Sequence, residues 1–206
     1  MRRFLLADDH FVVRNGLRRL IVEEFRDAQI DECKDWDSAW SKIKAGWFDL
    51  VILEINMPGA EAIGLLRNLF VLRPGLKVLI FTKSNEEIYA KTYLQLGVKG
   101  FINKAADAPE IRHAIHTALS NEKYLSPKVQ NIFMENVVEG TSSRPFDALS
   151  SRELAVMTYL IKGINVSQIA DMLSLTASTI ATHKAKVMKK LGVANVMEMY
   201  QLFDNA

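Results

Sequence analysis

The strongest constraint on the fold is the alternation of short apolar runs with helical patterns over residues 1–120. Strand-like segments at 4–7, 49–55, 76–82 and 99–103, and a weaker one at 28–33, are each followed by a segment with helical spacing. Repeats of this kind form a parallel sheet with helices on both faces. We therefore predict an α/β domain at 1–120, with a five-stranded parallel sheet.

Residues 147–206 have a different pattern, without strands. They open with a capping box, Ser150 to Glu153, and continue as three or four short helical patterns. The intervening residues 121–146 hold a short helical pattern and the Gly/Ser/Pro stretch "VVEGTSSRP" at 137–145. We predict a connecting helix and linker at 121–146, and a small all-α domain at 147–206.

Composition excludes several classes of protein. Apolar residues make up 49% of the chain, charged residues 24%, and the net charge is +2, which is an ordinary globular balance. No apolar run approaches the roughly 20 residues of a membrane helix, and the N-terminal apolar run is too short for a signal peptide. The single cysteine, Cys33, excludes an internal disulfide and a multi-cysteine zinc site. We expect a cytoplasmic protein without membrane contact.

Polar side chains follow four of the predicted strands. Parallel strands end at one edge of a sheet, where ligands of α/β proteins bind. Each residue also has an ordinary interpretation: a helix cap for Asp9, a turn for Thr82, a solvated charge for Lys104. Their joint occurrence at four strand ends favours a site. Its members are Asp8, Asp9, Glu54, Thr82 and Lys104.

Charge suggests what such a site binds. Two carboxylates about 4 Å apart repel by about 4 kcal/mol at an effective dielectric constant of 20. A hard divalent cation such as Mg²⁺ relieves this repulsion and also accepts phosphate oxygens as ligands. The Lys104 ammonium and the Thr82 hydroxyl suit the oxygens of a phosphoryl group.

The motifs "ADDH" at 7–10, "NMPG" at 56–59, "FT" at 81–82 and "FINK" at 101–104 resemble those of bacterial two-component response regulators. Residues 1–120 resemble the (βα)5, flavodoxin-like receiver domain of that family. Residues 147–206 resemble the LuxR-type helix-turn-helix of its NarL/FixJ branch. The resemblance implies a DNA-binding transcription regulator and not an enzyme, with a receiver that controls dimerisation.

The resemblance also implies roles for the strand-end residues. Position 54 would accept the phosphoryl group, which Thr82 and Lys104 would contact. Phe101 stands where the family carries a switch aromatic that turns inward. The implied Mg²⁺ ligands are Asp8, Asp9, Glu54 and Asn56.

Position 54 departs from the family, because the chain has Glu54 where the family has aspartate. Either the glutamate is native, and the receiver works without phosphorylation, or it was introduced to imitate the phosphorylated form. We favour the second explanation because the other strand-end residues are retained. A sensor histidine kinase is the expected partner if the native residue is aspartate. Since glutamate is longer by about 1.5 Å, we expect it to reach Lys104 and to weaken Mg²⁺ binding.

The helical unit contains a basic stretch, since no acid occurs between Asp171 and Glu198. On charge alone this is a solvated face, but the spacing resembles the family's helix-turn-helix, whose second helix enters the major groove of double-stranded DNA. Ile180, Val187 and Leu191 share the predicted buried face. The last helix has more apolar surface than one buried stripe requires, which favours a homodimer contact. The predicted DNA-binding residues are Ser178, Thr179, Ala181, Thr182, Lys184, Ala185, Lys186 and Lys189.

Two other classes of function stay open at this level. Aspartate-nucleophile phosphatases also combine strand-end Asp, Thr and Lys with Mg²⁺. They have an Asp-x-Asp after the first strand, however, whereas Asp8 and Asp9 are adjacent here. The other class is a protein-binding regulator that acts without DNA.

Overall fold

The computed structural model describes residues 1–58, 62–139 and 145–205. The chain divides into two compact units, Met1–Gln130 and Asn131–Ala206. The centre of the predicted linker, residues 140–144, lies outside the described residues, as does Gly59 of the "NMPG" motif.

The first unit is built on a parallel sheet, which confirms the predicted α/β fold. Its strand order is β2-β1-β3-β4-β5-β6. The sixth strand was not predicted, because its two residues form no apolar run. The strands are β1 Arg3–Ala7, β2 Gln29–Cys33, β3 Leu50–Leu53, β4 Val78–Thr82, β5 Gly100–Asn103 and β6 Tyr124–Leu125.

Helices cover both faces of this sheet, as the βα alternation predicts. On one face, α1 and α5 bury Leu17, Ile21 and Ile115 against strand residues such as Phe4 and Ile52. On the other, α2 contacts β1, and α4 contacts β5 and packs beside α3. The five helices are α1 Phe11–Glu24, α2 Trp36–Ala45, α3 Ala62–Leu72, α4 Glu86–Leu96 and α5 Ala108–Leu119.

The second unit is helical. The predicted capping box is confirmed, because the Ser150 side chain accepts from the Glu153 amide and the Glu153 side chain accepts from the Ser150 amide. Within this unit, α9 packs against α7 and α8. None of the helices in the described part of the chain has the length and apolar character of a membrane span. The elements are α6 Pro127–Glu139, which begins in the first unit, a 3₁₀ turn Pro145–Ala148, α7 Ser151–Ile161, α8 Val166–Met172, α9 Ala177–Leu191 and α10 Val196–Asp204.

Gly100 lies in β5, closely packed between β4 and β6. A Cβ added there would lie 2.8 Å from Cδ1 of Leu79 and 3.0 Å from Cβ of Tyr124. We expect Gly100→Val to lower the free energy of unfolding of the first unit by about 1–3 kcal/mol, since overpacking a strand forces its neighbours apart. Gly16→Ala is the control, because nothing lies within 4 Å of its added Cβ and alanine favours a helix interior. Urea unfolding of both variants tests the expectation, and an unchanged midpoint for Gly100→Val contradicts it.

Candidate functional site at the strand ends

The register of the sheet brings the strand-end residues together. Asp8 follows β1, Glu54 follows β3, Thr82 ends β4, and Lys104 follows β5. Two ladder hydrogen bonds fix their relative heights: the Glu54 amide donates to Ala7 O at 2.8 Å, and the Lys104 amide donates to Thr82 O at 2.8 Å. Backbone hydrogen bonds between neighbouring strands therefore hold these residues at one edge of the sheet.

Lys104 joins two buried carboxylates. Its Nζ lies 2.6 Å from Oδ2 of Asp8 and 2.8 Å from Oε2 of Glu54, and the three side chains are only 3–5% exposed. Burial by itself lowers the pKa of Lys104, but the contacts with Asp8 and Glu54 outweigh it and the pKa is raised. The ammonium therefore stays charged between the two acids. This is the contact with Lys104 that we expected from the longer side chain of Glu54.

The other oxygen of Glu54 is occupied as well. Its Oε1 accepts hydrogen bonds from Oγ1 of Thr82 at 2.6 Å and from the amide of Asn56 at 2.9 Å. The Asn56 side-chain amide approaches the same oxygen at 3.3 Å. Both carboxylate oxygens therefore have donors, and Thr82, which is fully buried, is directed at position 54.

Ser84 is a member of this network that the sequence did not identify. The Asn56 side-chain amide donates to its Oγ at 2.9 Å, and the Ser84 amide donates to Oγ1 of Thr82 at 3.2 Å. Its position, a hydroxyl residue two places after the strand-end threonine, was the available signal. Ser84 ties the loop after β4 to the loop after β3.

Among the described residues, Asp8, Asp9 and His10 form a cluster that could hold a divalent cation. One ligand atom from each lies within 4.8 Å of the others, and Nδ1 of His10 is 2.8 Å from Oδ1 of Asp9. Glu54 fits this set poorly, because Lys104, Thr82 and Asn56 already occupy its oxygens. The carboxylate of Asp8 is engaged too, because its Oδ2 lies 2.6 Å from Nζ of Lys104 and its Oδ1 accepts from the His10 amide at 2.8 Å. A Mg²⁺ ion held by Asp8 and Asp9 would therefore have to displace Lys104 from Asp8 and His10 from Asp9.

Phe101 belongs to β5, three residues before Lys104, and its side chain is buried. It is 1% exposed, and its ring centroid is 5.8 Å from that of Tyr93 in α4. The residue expected at the switch position is thus packed between β5 and α4.

In the second unit, α9 separates a buried stripe from an exposed face. Ile180, Val187 and Leu191 are buried, as predicted. The Thr182 hydroxyl donates to Ser178 O at 3.0 Å, which leaves its oxygen free to accept. Of the predicted DNA-binding residues, Thr179 and Lys184 are half-buried, whereas Ser178, Ala181, Thr182, Ala185, Lys186 and Lys189 are exposed.

Lys190 belongs to the same basic stretch but has a structural contact. Its Nζ lies 2.7 Å from Oε2 of Glu153 and donates to Ala148 O at 3.0 Å. Burial raises the pKa of Glu153, but the contacts with Lys190 and Ser150 outweigh it, so the pKa lies below its ordinary value. The ion pair therefore fastens α9 to the start of α7.

Comparison with known proteins agrees with both units. Residues 4–116 match the response regulator receiver domain family, and residues 147–203 match the luxR family of bacterial regulatory proteins. The chain is a response regulator of the NarL/FixJ family. This response regulator is 30% identical over 207 residues to the oxygen regulatory protein NreC of Staphylococcus carnosus, covering 97% of its own length and 95% of NreC.

Further matches span the whole regulator. The response regulator GacA of Pseudomonas viridiflava is 26% identical over 200 residues, which cover 97% of this chain and 94% of GacA. RcsB from Salmonella enterica serovar Typhimurium, solved bound to the promoter rprA with the phosphomimetic BeF₃⁻, superimposes with a TM-score of 0.83 at 22% identity. That alignment covers 100% of this chain and 99% of RcsB, and it shows a shared fold.

The Glu153–Lys190 pair should make the second unit sensitive to acid. Because the pKa of Glu153 is lowered on folding, its contribution is present above the ordinary glutamate pKa and is lost as the pH falls through the folded value. We expect Glu153→Gln to destabilise this unit by about 1.5–3 kcal/mol at pH 7, as for a hydrogen bond to a charged group. The difference should shrink below about pH 4.

Urea unfolding followed by NMR signals of α7 measures this effect at each pH. Asp171→Asn removes one carboxylate charge from an exposed position of the same unit and is the control. A destabilisation by Glu153→Gln that persists undiminished at pH 3 contradicts an ionic contribution.

Proposed function

We propose that this response regulator binds double-stranded DNA as a homodimer and controls transcription in response to the state of its strand-end site. The observation that best supports this proposal is that one chain combines the Lys104–Glu54–Thr82 contacts with the exposed basic face of α9. The solved complex of RcsB with promoter DNA supports this reading of a shared architecture.

Glu54 acts in this proposal as a non-phosphorylatable, partial imitation of a phosphorylated aspartate. Its carboxylate already engages Thr82 at 2.6 Å and Lys104 at 2.8 Å, the two residues expected to contact a phosphoryl group. It carries one negative charge, whereas a phosphoryl group carries about −1.5 to −2. The active state is therefore favoured only in part, by about 1–2 kcal/mol, the lower range of typical coupling energies.

The origin of Glu54 separates two forms of the proposal. With aspartate as the native residue, a sensor histidine kinase supplies the phosphoryl group and Glu54 is an introduced imitation. With native glutamate, the receiver is independent of phosphorylation and Glu54 holds it in one state. Retention of Thr82, Lys104 and the adjacent acids supports the first form.

Asp8 and Asp9 are the residues that would hold Mg²⁺. When bound, the ion supplies positive charge against the carboxylates and a coordination position for a phosphate oxygen. Because Lys104 already bridges Asp8 and Glu54, we propose that the Glu54 form binds the ion weakly. Shortening position 54 to aspartate would draw its carboxylate back from Lys104 and free space there.

The α9 surface divides into two roles on DNA. The methyl groups of Ala181, Ala185 and Thr182 suit contacts with thymine in the major groove. Lys184, Lys186 and Lys189 suit phosphate contacts, which raise affinity without reading sequence. Dimerisation through α10 is supported by the exposure of Met197, 66%, and Tyr200, 45%.

Restoring aspartate should restore phosphorylation. We expect no phosphate incorporation from acetyl phosphate into the Glu54 form, and one phosphoryl group in Glu54→Asp, because only aspartate has the acceptor geometry of the family. The phosphorylated form should dimerise or bind DNA more tightly than the Glu54 form. Mass spectrometry measures the label and light scattering measures the dimer mass, with Glu54→Asn as the unreactive control. If Glu54→Asp takes no label, the assignment of position 54 fails.

Lys186 and Lys190 allow a matched test of the DNA surface. Lys186 is exposed on the proposed face, whereas Lys190 pairs with Glu153. We expect Lys186→Ala to weaken binding to all DNA sequences and to reduce the slope of log affinity against log salt by about one unit. Lys190→Ala should lower stability and leave that slope unchanged. Fluorescence anisotropy at several salt concentrations measures both, and an equal slope change in the two variants overturns the assignment.

A further inference from the structure

The strand-end site is connected directly to the first turn of α4. Thr82 ends β4, and the Ser84 amide donates to its Oγ1 at 3.2 Å. Asn85 then caps α4, because its side chain accepts from the Glu87 amide at 2.9 Å. Hydrogen bonds thus join Thr82 to Ser84 and Asn85 to Glu87, on either side of the peptide bond between Ser84 and Asn85. We therefore expect a displacement of Thr82 to move the start of α4.

The start of α4 is in turn bonded to the start of α6. Oγ of Ser126 donates to Oε2 of Glu86 at 2.6 Å. The same hydroxyl accepts from the Val129 amide at 3.2 Å, so Ser126 also caps α6. Ser126 is 4% exposed, and a buried hydroxyl bond to a carboxylate is stronger than one in water.

A second contact lies beside the first. Nζ of Lys128 is 2.7 Å from Oε1 of Glu87, whose side chain is 18% exposed. Adjacent acids on α4 thus meet two residues at the beginning of α6. This pairing restricts rotation of one helix end against the other, which a single bond does not. We call the four residues Glu86, Glu87, Ser126 and Lys128 the α4–α6 clasp.

We propose that the α4–α6 clasp couples the strand-end site to the helix that leads into the DNA-binding unit. The inference rests on the proposed function, since it supplies the route by which position 54 influences that unit. The carrying observation is that α6 begins in the first unit, at a cap bonded to α4, and continues into the second. The hydrogen bond between Thr82 and Glu54 fixes the start of α4. The clasp then stabilises the first turn of α6 through its contacts with α4.

Amide hydrogen exchange in the full chain tests the coupling. The reporters are the amides of Val129 and Gln130, which donate to Oγ and O of Ser126. Thr82→Ala removes the hydroxyl that engages Glu54, and Thr82→Ser, which keeps it, is the control. We expect Thr82→Ala to raise the exchange rates of these amides about fivefold or more, the lower end of typical coupling.

Ser126→Asp breaks the clasp but keeps the cap of α6. The aspartate side chain still accepts from the Val129 amide, but its negative charge repels Glu86. Ser126→Asn is its matched control, because it caps the helix and retains a donor. Glu86→Ala breaks the same contact from α4. We expect the response to Thr82→Ala to persist with Ser126→Asn and to disappear with both Ser126→Asp and Glu86→Ala.

In the exchange experiment, the clasp is overturned if Thr82→Ala produces no response in the otherwise unaltered chain, or if the response survives in both broken backgrounds. Neither affects the phosphorylation assignment, because labelling of Glu54→Asp is measured separately. If Glu54→Asp is labelled and its DNA affinity responds to the label equally with and without the clasp, the proposed function stands and the clasp fails. If Glu54→Asp takes no label, the phosphorylation assignment fails, and the exchange result still decides the clasp.

Discussion

The contact of Lys104 with Asp8 and Glu54 is the interaction on which the strand-end site depends. Without the ammonium, two buried carboxylates would face each other, and each isolated charge in the interior costs several kcal/mol. With it, Oδ2 of Asp8 lies 2.6 Å and Oε2 of Glu54 lies 2.8 Å from Nζ of Lys104. The orientation of Glu54 Oε2 towards Lys104 leaves Oε1 to accept from Thr82 and Asn56. The Lys104 ammonium thus determines which oxygen of Glu54 faces Thr82 and Asn56.

The convergence of this site was predictable because parallel strands end at one edge of their sheet. The order of the strand-like segments along the chain was enough to place Asp8, Glu54, Thr82 and Lys104 at this edge. The pairing of individual oxygens was not predictable, because it depends on ångström-scale distances that periodicity does not contain. Ser84 was missed for that reason: a hydroxyl after a strand is common, and only its 2.9 Å contact with Asn56 makes it part of the site.

The basic helix α9 shows the same limit in the second unit. Helical spacing predicted that Ile180, Val187 and Leu191 would be buried, because apolar residues cluster on the face that leaves water. Lysines carry no such signal, since a flexible charged side chain occurs on an exposed face and at a polar contact alike. Lys189 is exposed, and Lys190 pairs with Glu153, 37 residues away in sequence. Only the packing of α7 against α9 distinguishes them.

The charge at position 54 has a consequence for control. A phosphoryl group is added and removed, so an aspartate site reports a signal that changes with time. A glutamate carboxylate is permanent, and on the proposal above it holds Thr82 and Lys104 continuously but with less charge than a phosphoryl group. The fraction of active dimer then depends on protein concentration by mass action. The amount of regulator in the cell, and not its modification, would set the response of the Glu54 form.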